Sequence, residues 1–144
     1  MNTEPFVIER TYPVPAAKVW EAITDKDKMK KWYFDLAEFK AEPGFAFEFI
    51  GTGNDGQKYR HLCKVTEVVQ GKKLAYSWTY DGYLGYSVVT FELFDEGDGT
   101  RLKLTHAGLE SFPVHPDFAS TSFAAGWKHI IGKSLAEYLA QLDH

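Results

Sequence analysis

Apolar and polar residues alternate from the start of the chain. Phe6, Ile8, Arg10 and Tyr12 fall on one side, and Val7, Glu9 and Thr11 on the other. A period of two predicts a strand, and Pro13 and Pro15 end it. Pro15 suits a first helical turn, where its missing N–H costs nothing. Val19, Trp20 and Ile23 then recur at helical spacing. Thr24-Asp25 breaks that helix and caps a second short one, whose buried stripe is Met29 and Trp32.

The middle of the chain repeats the strand pattern. Phe45, Phe47 and Phe49 alternate after the turn at Pro43-Gly44. A long strand follows from about Tyr59 to Val69. Leu74, Tyr76, Trp78 and Tyr80 alternate with small residues, and Asp81-Gly82 is a turn signal. Tyr86 to Phe94 carries Val89, Phe91 and Leu93 on one side. After the polar tip Asp95 to Gly99, Leu102, Leu104 and His106 share a side. Hairpin after hairpin implies an antiparallel meander with one wet face.

The period lengthens at the end. From Phe118 to Leu142, the residues Phe123, Trp127, Ile130, Ile131, Ser134, Leu135, Tyr138 and Leu142 form an apolar stripe. Lys128, His129, Lys133, Glu137 and Gln141 fall mostly opposite. Such a helix is roughly 30–37 Å long at the rise of an α-helix. Trp127 sits mid-stripe as the expected anchor to the sheet, and Gly126 beside it is expected to permit close approach. The fold class is α+β: a curved antiparallel sheet of about six to seven strands on a long C-terminal helix, with two short helices after the first strand. A sheet with an apolar face must be covered, and the terminal helix is the element large enough to do it.

Composition narrows the function. The 144 residues suit one domain spanning 1–144. Net charge is −4, and the nearest basic run (Lys26, Lys28, Lys30, Lys31) is interrupted by Asp25 and Asp27. That reads as a solvated helix face and not as a nucleic-acid stripe. No segment has the length and apolarity of a membrane span, and no signal peptide is evident. The lone Cys63 forms no internal bridge, which fits a reducing, cytoplasmic setting. Aromatic residues make up 16% of the chain. Phe45, Phe47, Phe49, Tyr76, Trp78, Tyr80, Tyr86, Phe91 and Trp127 either fill a core or wall a cavity.

Candidate chemistry is sparse. His106 is placed inward beside Leu102 and Leu104, as a polar group in a cavity wall or a satisfied core histidine. His61, His115, His129 and His144 have no metal-binding spacing, so no metal and no cofactor are expected. No Gly-x-Ser-x-Gly elbow is present. Cys63 reads as a small buried hydrophobe and not as a nucleophile. Gly53-Asn54-Asp55-Gly56 lacks the lysine and helix of a phosphate loop and reads as a hairpin. Glu48 and Glu67 lie on neighbouring strands without a clear inward placement.

Several phrases resemble a known family. Pro15-Ala16 with Val19-Trp20, Ala22-Ile23-Thr24-Asp25, then Met29 and Trp32 resemble the opening of the SRPBCC (START-like) superfamily. The run Gly99 to Leu109, Leu74-Ala75-Tyr76-Ser77-Trp78, and Gly126-Trp127 with Leu135 and Leu139 resemble the activator of heat-shock protein 90 ATPase homologue family (its C-terminal domain). The resemblance implies the helix-grip fold and a space between sheet and helix. With it, the chain is expected to bind an apolar small molecule without catalysis. Its walls would be Phe47, Tyr76, Trp78, Phe91, His106, Trp127 and Ile131, and no catalytic residue is assigned. The alternatives are a chaperone-cofactor-like interaction protein, stress-linked or paired with a second copy, and a cyclase or aromatase using His106 or Tyr76.

Overall fold

A computed structural model describes residues 5–33, 38–52, 56–113 and 120–142. The expected helix start at Phe118, His115, His144 and the hairpin residues 53–55 lie outside these. The order is β1 (Phe6–Tyr12), α1 (Ala16–Thr24), α2 (Lys26–Trp32), β2 (Ala46–Thr52), β3 (Lys58–Val69), β4 (Lys73–Tyr80), β5 (Ser87–Asp95) and β6 (Thr100–Ala107). A short 3-10 turn (Leu109–Ser111) follows. The C-terminal helix then runs as α3 (Ser120–His129), a π-helical segment (Ile130–Ser134) and α4 (Leu135–Leu142).

The six strands form one antiparallel sheet in the order β1-β6-β5-β4-β3-β2. This is the helix-grip architecture, with six strands. Alternation sorts the side chains as the sequence predicts. Ile8 and Tyr12, Phe47 and Phe49, Tyr76, Trp78 and Tyr80, Val89, Phe91 and Leu93, and Leu102, Leu104 and His106 are all buried on the inner face. A register shift between Val65 and Glu67 bulges β3, which adds local twist.

Polar groups bind the helices in place. The Asp25 carboxylate accepts from the backbone N–H of Asp27 (2.9 Å) and Lys28 (3.4 Å), capping α2 as expected. The Trp32 indole donates to the Ala22 carbonyl at 2.9 Å, fixing α2 to α1. Thr100 donates to the Val14 carbonyl at 2.8 Å. Gly108 has φ +89°, and a Cβ there would meet the Tyr86 carbonyl oxygen at 2.6 Å, so only glycine fits this turn.

The terminal helix departs from a regular α-helix. Phe123, Trp127, Ile131, Leu135 and Leu139 are all buried, and they stand four residues apart. In an α-helix that spacing drifts by about 40° each step. The π-helical turns, with their wider i→i+5 closure, reset the drift. The Leu135 N–H bonds to the Ile130 carbonyl instead of that of Ile131. The Ile131 carbonyl instead accepts from the Tyr12 hydroxyl of β1 at 2.6 Å.

Three expectations need correction. Gly126 is exposed, with nothing within 4 Å of a Cβ built on it. It does not serve close approach, because it lies on the solvent side of α3. Tyr86 precedes β5 and is 56% exposed. It is not part of the inner aromatic set, because its parity is that of Val88 and Thr90, opposite the inward Ser87, Val89 and Phe91, and it lines the outer face. Tyr138 is partly buried where Leu139 is core, because the π segment has shifted the stripe by one residue.

Candidate functional site

Aromatic side chains from three strands and two helices meet in one layer between sheet and helix. β2 supplies Phe47 and Phe49, β4 supplies Tyr76 and Trp78, and β5 supplies Phe91, all by alternation. The helix lowers Trp127 onto them, and the end of α2 adds Tyr33. Phe47 packs edge-on against Tyr76 (centroids 5.1 Å apart), and Tyr76 lies tilted by 34° against Phe91 (6.0 Å). Trp127 then meets Phe91 (6.2 Å), Trp78 (5.6 Å), His106 (5.9 Å) and Tyr33 (6.2 Å, stacked). Such pairs add about 0.5–1.5 kcal/mol each beyond the area they bury.

All seven residues named from the sequence are buried. Phe47, Tyr76, Trp78, Phe91, His106 and Trp127 are joined by those ring contacts. Ile131 is fully buried one helical step from Trp127, with its carbonyl held by Tyr12.

His106 is bonded at both ring nitrogens. The Trp127 indole only donates, so Nδ1 of His106 accepts its N–H at 3.0 Å. Nε2 therefore carries the hydrogen and donates to Ser87 Oγ at 2.8 Å, and Ser87 donates onward to the Trp78 carbonyl at 2.8 Å. Burial, aided by the neighbouring His61, pushes the His106 pKa down to about 3. His61 is pushed down to about 4, mainly by burial, with opposition from hydrogen bonds to the Tyr59 and Phe49 carbonyls.

The other polar tips face each other too. The Tyr33 and Tyr76 hydroxyls share a hydrogen bond at 2.7 Å. The Trp78 indole donates to the Tyr80 hydroxyl at 2.9 Å. Burial raises both Tyr33 and Tyr76 well above the usual phenol range, and raises the Cys63 thiol. Among the described residues no Asp, Glu, Lys or Arg is buried, and no buried side-chain nitrogen or oxygen lacks a partner. The inner face is thus uncharged at neutral pH, with its hydrogen-bonding groups answered from within. The buried Tyr and Trp tips therefore find their partners within the protein. Glu48 and Glu67 are exposed on the other face, where Glu48 pairs with Arg60 at 2.7 Å and Glu67 with Lys73 at 3.2 Å. No three His, Cys, Asp or Glu side chains among the described residues come together as a metal would require.

An open groove of about 370 Å³ lies on the outer face, over Ala46, Leu62, Ser77 and Thr79. The Ser77 and Thr79 hydroxyls that line it are tied to the backbone of β3, Ser77 at Lys64 and Thr79 at Leu62. The aromatic layer is on the opposite side of the same strands.

Sequence reasoning missed Tyr33 and Ser87. Tyr33 follows Trp32 at the end of an amphipathic helix, and the paired aromatics were its only signal. Ser87 gave none.

The comparisons with known proteins match this architecture. Residues 13–140 match the family described as "Activator of Hsp90 ATPase homolog 1-like protein". The chain belongs to that family, within the SRPBCC superfamily. No curated protein matches it. Among solved structures, protein MLL2253 from Mesorhizobium loti is 27% identical with a TM-score of 0.74, over 97% of this chain and 99% of that one. CV1439 from Chromobacterium violaceum is 22% identical with a TM-score of 0.79, over 94% and 96%. DynU16, from the dynemicin biosynthetic locus, is 23% identical with a TM-score of 0.77. The chain covers 95% of itself in that match but spans only 47% of DynU16. No helix among the described residues is long and apolar enough to cross a membrane.

Proposed function

We propose that this domain binds an apolar small molecule without catalysis, between the inner face of the sheet and the C-terminal helix. The observation that carries the reading is the continuous aromatic layer from Phe47 through Tyr76 and Phe91 to Trp127. It has no buried charge among the described residues. Large apolar area with a few neutral hydrogen-bonding groups is the usual make-up of a small-molecule site. A lipid, sterol, polyketide-like or aromatic compound fits that chemistry. A histidine held near pKa 3 is a weak base at neutral pH, which favours binding over proton-transfer chemistry. Membership of the SRPBCC superfamily supports a ligand-binding role.

The test is titration with an environment-sensitive apolar dye, with native mass spectrometry of the purified protein for any co-purifying compound. One-to-one binding that raises the melting temperature with dye concentration supports the reading. Ile131→Trp should weaken that binding more than it weakens folding. If Ile131→Trp unfolds the protein and no apolar probe binds the parent, the reading fails.

A second reading has one observation in its favour. Tyr83 (41% exposed), Leu84 (83%) and Tyr86 (56%) cluster at the tip between β4 and β5. An exposed apolar tip suits a protein partner, in line with the chaperone-linked family name. Leu84→Asp should abolish such an interaction and leave dye binding intact, as pull-down and titration would show.

A further inference from the structure

The aromatic layer is closed on one side by a residue that belongs to neither the sheet nor the terminal helix. Tyr33 caps the C-terminus of α2, with its backbone N–H on the Met29 carbonyl at 2.6 Å. Its ring lies against Trp127 at 19° between planes and against Phe49 at 5.8 Å. Its hydroxyl meets that of Tyr76 at 2.7 Å. The rings around it (Phe49, Tyr76 and Trp127) are all buried, whereas Tyr33 is half-buried. Its hydroxyl reaches the interior while part of the residue reaches the surface. Turning the side chain outward breaks no strand pairing and no helical hydrogen bond.

We infer that Tyr33 occupies the place of the ligand, and that a bound molecule displaces it, laying a planar ring on Trp127 and a neutral oxygen against the Tyr76 hydroxyl. The inference rests on the inner face being the ligand site and specifies which part of it opens. A phenol already held there shows what the space accepts: a flat ring about the size of a tyrosine side chain, bearing one hydrogen-bonding oxygen. The Tyr76 hydroxyl both donates and accepts, so a ligand hydroxyl or carbonyl would serve. A carboxylate would not, because a charge there would be desolvated without a counter-ion. The same geometry makes the free protein self-inhibited. Apparent affinity falls by the fraction of molecules in which Tyr33 has swung away.

The experiment uses 2-naphthol, with naphthalene and 2-naphthoate as controls. It follows binding by titration, and Tyr33 by fluorine NMR of protein labelled with 3-fluorotyrosine. Tyr33→Phe identifies the resonance. In the parent protein, 2-naphthol should bind and shift the Tyr33 signal toward that of a solvent-exposed tyrosine. Tyr33→Ala should bind 2-naphthol about tenfold more tightly, the scale of one ring pair and one hydrogen bond. Tyr76→Phe should lose about tenfold for 2-naphthol and little for naphthalene. 2-Naphthoate should bind more weakly than 2-naphthol. Truncation can create a void that accepts rings in any protein, so the fluorine signal of the parent decides. If Tyr33→Ala folds poorly, Tyr33→Phe should still bind a few-fold more tightly than the parent. Binding of 2-naphthol with the Tyr33 resonance unmoved overturns the displacement and leaves the inner-face site standing. Absence of binding to parent and variants alike overturns both.

Discussion

The two sides of the aromatic layer hold their helices differently. On one side Trp127 of the terminal helix is bonded to His106, His106 to Ser87, and Ser87 to the Trp78 backbone. Each donor in that chain has its acceptor, and all of it is buried. On the other side Tyr33, a half-buried residue, leans in from α2 with a hydroxyl pair to Tyr76. Breaking the first arrangement strands several buried polar groups at once. Breaking the second leaves one buried hydroxyl, that of Tyr76, without the partner it has in Tyr33, a residue that already touches water. The first therefore behaves as structure, and the second has the properties expected of a movable part.

The largest effect should come from the buried side. Trp127→Ala removes the central ring and leaves His106 Nδ1 without its donor, for a loss of about 3–5 kcal/mol. That is a large share of a domain stability of about 5–15 kcal/mol. Urea denaturation measures it, and a loss below about 1 kcal/mol would break the contrast.

Acid should act next, through the two buried histidines. His106 and His61 have pKa values of about 3 and about 4 in the folded protein, against about 6.5 unfolded. Below pH 6.5 the unfolded chain binds protons that the folded one refuses. The stability these groups allow is whole above that pH and falls as the pH drops toward the folded values. By pH 5 the loss should be about 2 kcal/mol per histidine. Urea midpoints at pH 7 and pH 5 test this, and a flat profile would show that the rings are not buried neutral.

Tyr12→Phe tests a third tie, from β1 to the π segment. It leaves the Ile131 carbonyl without its hydroxyl donor, at about 0.5–1.5 kcal/mol, read as a lowered thermal midpoint. Tyr33→Phe strands only the Tyr76 hydroxyl and should cost about 1 kcal/mol. A cost equal to that of Trp127→Ala would erase the difference between the two sides.

Much of this was legible in the sequence. Alternation placed Phe47, Tyr76, Trp78, Phe91 and His106 on one face, because a strand's pleat leaves little choice once the period is two. Where the regular period lapsed, so did the reading. Tyr33 follows an element rather than lying within one, so no register governs it, while Tyr86 has the outward parity of Val88 and Thr90, and grouping it with the inner aromatics runs against that parity. Leu139 replaced Tyr138 in the core because the helix changes pitch, and no residue type announces a π turn. The partners of His106 were hidden for another reason. Ser87, His106 and Trp127 come from three distant parts of the chain, and only the packed sheet and helix bring them together.

That change of pitch has a consequence for how the chain tolerates change. The π segment absorbs one surplus residue between α3 and α4, so the terminal helix acts as two gears keyed separately on one shaft. The teeth of α3 engage the aromatic rings and β1, and those of α4 engage α1 and α2. Tyr12 is the pin that holds the shaft where the gears meet. A change of length at this joint would re-index one gear against the other. The α4 gear can therefore keep its grip on α1 and α2 while the α3 gear turns a different set of side chains toward the sheet.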